Sequence, residues 1–133
     1  MSNVRPMKLQ PFVRVDDAAF SAVSADITNL LGEPLRTGRN DVGLNELDYG
    51  DVVYRFQDNG RLEEITKQAS VVVLGTVAVP FGTLASFIRE HDRAAFKRAG
   101  FLVSPQFGLA FDPTDACWVT AIARHCVSTW KAL

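Results

Sequence analysis

Apolar residues change their spacing several times along the chain, and each change marks an element. From Lys8 to Val15 the alternation is weak (Leu9, Phe12, Val13, Val15), and Pro11 interrupts it. Proline cannot donate to a central ladder, so this stretch predicts an extended arm or an edge strand, preceded by a flexible arm over residues 1–7. Phe20, Val23, Ile27, Leu30 and Leu31 then follow helical spacing. Asp16 or Asp17 would accept the free N–H groups of that helix, Gly32 would close it, and Pro34 prevents its resumption. Leu35 to Gly43 is polar and glycine-rich, and predicts a loop.

Strand-like alternation begins after this loop. Leu44–Tyr49, Asp51–Gln57 and Arg61–Thr66 predict three strands, the last two joined through Asp58-Asn59-Gly60, since Asn and Gly tolerate the positive φ of a hairpin turn. A two-residue loop places Tyr54 opposite Ile65, and a bulged loop places Phe56 opposite Leu62; the turn residues are compatible with both. Ser70 to Val79 is almost wholly apolar and valine-rich, which predicts a central strand covered on both faces. Pro80 ends it, and Gly82-Thr83 opens a helix with Leu84, Phe87, Ile88 and His91 on one face. Asp92 would cap a second short helix, Arg93 to Ala99, stopped by Gly100. Phe101–Val103 and Phe107–Phe111 predict two short strands, and Asp112-Pro113-Thr114-Asp115 a turn. In the tail, Trp118, Ile122, Cys126 and Trp130 recur every four residues, which favours a helix, although Cys117 to Ile122 also suits a strand.

These elements predict one α+β domain over residues 1–133: an antiparallel or mixed sheet around Ser70–Val79, with the helices packed on it. The expected core is Phe20, Val23, Ile27, Leu30, Tyr54, Val71, Val73, Leu74, Leu84, Phe87, Ile88, Phe111 and Trp118. A chain of 133 residues that is 47% hydrophobic and 22% charged suits a single globular domain, and neither repeats nor a linker divide it. Fourteen basic against fifteen acidic residues give a net charge of −1, without the basic excess of a general nucleic-acid binder. The longest apolar run, Val71 to Phe81, is too short and too interrupted to span a membrane. With two cysteines and no secretory signal in Met1–Asp17, the expectation is a cytoplasmic protein with reduced thiols.

Candidate chemistry is sparse. His91, His125, Cys117 and Cys126 are the metal-ligand candidates, yet they form no C-x-x-C, H-x-x-H or H-E-x-x-H pair. On a helix His125 and Cys126 would diverge by about 100°, so the expectation is no metal and no cofactor. Thiol catalysis would need a stabilised thiolate, whereas free cysteines are usually buried, here in a pattern shared with tryptophans. His91 reads as a core histidine or a helix-end cation, with a general base as the further option. Arg36, Arg39 and the glycines around them lack any phosphate-loop arrangement.

Charge is unevenly distributed. Asp41 to Glu64 holds seven acids (Asp41, Glu46, Asp48, Asp51, Asp58, Glu63, Glu64) against Arg55 and Arg61. Arg89 to Arg98 carries four bases against Glu90 and Asp92. Clustered charge steers encounters and orients partners, so the acidic segment, with Tyr49, is the candidate docking surface for a basic partner.

Gly43-Leu44-Asn45-Glu46-Leu47-Asp48-Tyr49-Gly50-Asp51, followed by Val53-Tyr54-Arg55-Phe56 and Gly60-Arg61-Leu62-Glu63-Glu64-Ile65, resembles the hairpin region of immunity proteins from bacterial polymorphic-toxin and type VI secretion systems. The resemblance covers residues 43–66 and the overall size. It implies a protein that catalyses nothing and neutralises a cytoplasm-acting toxin by tight binding, and it carries over no active-site residues. From the residues alone, the alternatives are a small enzyme or ligand-binding domain with a pocket near His91 and Tyr49, or an adaptor subunit of a larger assembly.

Overall fold

The valine-rich segment is where structure and periodicity part most clearly. In the computed structural model, which describes residues 5–133, Gly75 takes φ +64° and reverses the chain. The run thereby becomes a hairpin of β8 (Val71–Leu74) and β9 (Val77–Pro80) in place of one central strand. Its hydrophobicity serves two strands, of which β9 lies at a sheet edge.

The central strand of that five-stranded sheet is β1 (Pro6–Gln10), in the order β3-β2-β1-β8-β9. It pairs parallel with β8 and antiparallel with β2 (Arg14–Val15), which in turn pairs with β3 (Ala18–Ala19). The expected arm or edge strand is therefore an interior strand. Pro11 falls in the turn after β1, where its missing N–H costs the ladder nothing. Met7, expected in a flexible arm, is fully buried, and residues 1–4 of that arm lie outside the described residues.

The second sheet has eight strands, in the order β10-β11-β12-β13-β7-β6-β5-β4, antiparallel throughout. They are β4 (Arg36–Arg39), β5 (Asn45–Asp48), β6 (Val52–Phe56), β7 (Leu62–Gln68), β10 (Phe96–Arg98), β11 (Phe101–Ser104), β12 (Leu109–Phe111) and β13 (Trp118–Ile122). β4 replaces the expected loop; its side chains are exposed, so no buried alternation betrayed it. β10 replaces the expected second short helix. The Asn59-Gly60 turn joins β6 to β7 as expected, and both predicted registers occur. Tyr54 faces Ile65, Phe56 faces Leu62, and a bulge at Glu63 reconciles them.

The first helix, α1 (Ser24–Leu31), is shorter than its stripe suggested, because β2, β3 and their turns consume the preceding residues. Asp16 does not cap it; its carboxylate instead accepts the Lys8 N–H at 2.9 Å and pairs with Lys67 Nζ, tying one sheet to the other. Only Ile27 of α1 is buried, whereas Val23 and Leu30 are about half exposed. α2 (Phe81–His91) buries Phe81, Leu84 and Ile88, and its end at Asp92 is set by that side chain. Asp92 is buried and accepts bonds from Ala94 N, Ser104 Oγ and Gln106 N, fastening the helix end to the β11–β12 turn.

One apolar cluster joins the two sheets and both helices, with Met7, Leu9, Ile27, Tyr54, Ile65, Val72, Leu84, Ile88 and Phe111 among its members. Of the other expected core residues, Phe20, Phe87 and Leu74 pack partly buried against it. Within β8 the fully buried residue is Val72, with Val71 and Val73 only partly covered. Trp118 is partly exposed on the opposite face of the large sheet. The tail is strand plus helix: β13, a 3-10 turn (Arg124–Cys126) and α3 (Val127–Lys131). A second cluster, Val103, Ala110, Ile122, Ala123 and Cys126, forms where this tail folds over the large sheet, with Phe101 and Trp130 packed at its margin.

Candidate functional site: an acidic cleft edged by tryptophans

Alternation in β5, β6, β7 and β13 sends Leu47, Tyr54, Phe56, Ile65, Val119 and Ala121 into the main core. Glu46, Val53, Arg55, Glu64, Thr66, Trp118 and Thr120 consequently share the other face. The tail covers part of this face, and beside it lies an open cleft of about 540 Å³. Its remaining lining comes from Asn40, Phe101, Asp112, Asp115 and Trp130. Four carboxylates thus surround a single guanidinium, between the rings of Trp118, Trp130 and Phe101. Phe101 and Trp130 support one another, with ring centres 5.5 Å apart.

The cleft floor is a polar network. Arg55 donates from Nε to Glu46 at 2.7 Å and from Nη1 to Thr66 Oγ1 at 2.6 Å; Thr66 and Thr120 hydroxyls are 2.8 Å apart. Glu64 lies 3.8 Å from Arg55 Nη1. Burial pushes the Glu64 carboxyl above its ordinary range, and the opposing pull of Arg55 and the Trp130 indole does not cancel it. The desolvation of this carboxylate is therefore only partly offset by its neighbours.

The eight sequence-predicted docking residues do not form one free surface. Glu46 and Glu64 line the cleft. Asp48 is held by Arg36 at 2.7 Å, which with the Gly50 N–H keeps its carboxyl below the usual range. Asp58 is held bidentately by Arg39, which lowers it likewise, and Asp51 lies 3.7 Å from Arg5. Asp41 is exposed, and Tyr49 donates to the Gly32 carbonyl and packs edge-on against Tyr54. Pairing β4 with β5 is what brings Arg36 and Arg39 onto these acids, so with Arg5, Arg55 and Arg61 five bases meet the seven carboxylates and the local excess falls from five to two.

Glu63 is the clearest correction. It is 2% exposed, turned inward at the β7 bulge, and unavailable to a partner's surface. The Ala123 N–H bonds the Glu63 carbonyl at 2.9 Å, and the 3-10 turn then folds back over the bulge. His125 Nε2 and Cys126 Sγ consequently meet the same carboxylate oxygen, Glu63 Oε2, the sulfur at 2.8 Å. Adjacent side chains diverge in a 3-10 turn as on an α-helix; these two meet because the turn folds back over the bulge and Glu63 Oε2 lies within reach of both. The order of groups is wrong for a thiol nucleophile. The carboxylate, not the imidazole, touches the thiol, and burial together with that carboxylate pushes the Cys126 pKa well up.

His91 and Tyr49 are not brought together. His91 is exposed at the end of α2 and stacks on Phe87, ring centres 4.4 Å apart, as a helix-end residue. The basic segment is more one-sided than its sequence suggested, because Asp92 is withdrawn into the interior. Among the described residues no helix is long and apolar enough to cross a membrane. Trp130 and Asp112 were missed as cleft residues; one comes from α3 and the other from the turn after β12, and local periodicity carries no signal of their convergence. No protein-family model, curated protein or solved structure matches the chain.

Proposed function

We propose that this is a binding protein whose acidic, tryptophan-edged cleft receives a basic side chain of a partner protein, in the manner of an immunity protein engaging a toxin. The observation that carries this reading is Glu64. It is a largely buried carboxylate with incomplete charge compensation, set beside aromatic faces that attract cations. An arginine or lysine entering between Trp118 and Trp130 would compensate Glu64 and gain cation–π contact, a combination worth most where water is excluded. The docking role of the acidic segment thereby contracts to Glu46 and Glu64, joined by Asp112 and Asp115. The cleft volume also falls within the range of small-molecule sites, which favours as a second reading a small cationic ligand bound at the same carboxylates.

The test uses matched baits. Wild-type protein, Glu64→Gln and Asp115→Asn are immobilised and exposed to extract from the source cells, and the retained proteins are identified by mass spectrometry. A basic protein held by wild type and lost from Glu64→Gln supports the reading, and its affinity should fall with added salt less steeply for Asp115→Asn than for wild type. A partner held equally by all three baits overturns it. Retention of a small cation with no protein favours the second reading.

A further inference from the structure

Glu63, His125 and Cys126 contribute a carboxylate oxygen, an imidazole nitrogen and a thiol sulfur that all lie within 4.8 Å of one another. A tetrahedral zinc site with bonds of about 2.0–2.3 Å spaces its donors by about 3.3–3.8 Å, so small side-chain rotations bring these three atoms to ligand positions. We propose that they form a zinc-binding site with three protein ligands and a fourth position facing solvent.

A second observation points to a missing cation. Glu63 Oε1 is buried and has no hydrogen-bond partner among the described residues, and the side chain is only 3% exposed. A buried carboxylate oxygen without a donor is costly, and natural proteins rarely leave one. Arg61 Nη2 stands 3.5 Å from that oxygen, beyond hydrogen-bond reach, on a side chain that is half exposed. Zinc held by both oxygens of the carboxylate would give Oε1 the partner it lacks, with Arg61 as an outer partner of the same group, the arrangement by which ligating carboxylates are commonly oriented.

Charge and donor type select the metal. A thiolate and a carboxylate supply two negative charges to a divalent ion, and a neutral imidazole completes the set. Sulfur and nitrogen donors favour zinc over magnesium or calcium, which require oxygen. Binding displaces the thiol proton of Cys126 to solvent. The His125 side chain is about one-third exposed, so it forms the entry side, while Ile122, Ala123 and Val103 wall the site from behind. The fourth position, on the His125 side, is left to a water molecule, as in three-ligand zinc sites generally.

The experiment uses the full chain, purified without a histidine tag and stripped of metal with a chelator. Zinc affinity is measured by competition with a chromophoric chelator, and cobalt(II) serves as the spectroscopic probe. One equivalent should bind, with a near-ultraviolet thiolate-to-cobalt charge-transfer band. His125→Gln should weaken binding at least tenfold, and Cys126→Ser should remove the band, whereas Cys117→Ser should change neither. His125 is at the surface, so His125→Gln keeps the test valid should Cys126→Ser fail to fold; near-ultraviolet circular dichroism of the metal-free variants checks this. Absence of stoichiometric binding, a band that survives Cys126→Ser, or equal zinc affinity in His125→Gln overturns the proposal.

Discussion

Replacing Arg55 with methionine should separate what holds the cleft together from what makes it attractive to a cation. The side chain is 20% exposed, and the replacement removes a 2.7 Å bond to Glu46, a 2.6 Å bond to Thr66 and the nearest positive charge to Glu64. Two partly buried carboxylates would be left without their common counter-ion. Hydrogen bonds to charged groups contribute about 1.5–3 kcal/mol each, and breaking a buried pair costs about 3–5 kcal/mol. Residual solvent access and methionine's apolar contacts reduce this to roughly 2–4 kcal/mol near neutral pH. The pH dependence follows from the sign of the Glu64 shift. Its folded pKa already lies above the ordinary 4.5, and losing Arg55 raises it further. A carboxyl with a raised folded pKa opposes folding while ionised, so stability is regained as pH falls through the folded pKa towards the unfolded one. Urea unfolding at about pH 8 and about pH 5 should therefore show a smaller penalty for Arg55→Met in the more acidic buffer. Adding Glu64→Gln should restore much of the loss at the higher pH. A penalty below about 1 kcal/mol, or one identical at both pH values, would refute the electrostatic account of the cleft floor.

Two further predictions concern the scaffold. Phe111→Ala, at a fully buried ring, should cost about 3–5 kcal/mol, whereas Phe87→Ala should cost visibly less, because Phe87 is only partly covered; parallel denaturant titrations compare them. Gly108→Ala should cost about 2–4 kcal/mol: its φ of +63° disfavours a side chain, and a Cβ would stand 2.9 Å from the Phe12 ring. In the Phe12→Ala background the clash component should disappear, leaving about 1–2 kcal/mol of conformational strain, and an unchanged penalty there would assign the whole effect to the backbone.

Local signals carried the hairpin and the class. Gly32 closes α1, Asn59-Gly60 turns β6 into β7, and alternation marked β6 with Tyr54 in the core, because these features depend on conformational preferences of neighbouring residues; Phe56, also buried, was not among the expected core. The α+β architecture followed from the mixture of periods. The strand order did not, since β1 owes its central place to β8, more than sixty residues away, and no local pattern encodes that partner. Gly75 cut one apolar run into two strands, and the exposed residues of β4 gave periodicity nothing to report.

The candidate sites divide in the same way. The chain by itself determined an excess of carboxylates between Asp41 and Glu64, since charge is a property of composition. Which of those charges remain available was decided by pairing: β4 delivers Arg36 and Arg39 to Asp48 and Asp58, while Glu64 is buried with only partial compensation. His125 and Cys126 are neighbours in sequence, but their meeting at Glu63 required a bulge in β7 and a 3-10 turn after β13. Side-chain convergence depends on register, bulges and turn type, and these are set when strands distant in the chain bury a common core.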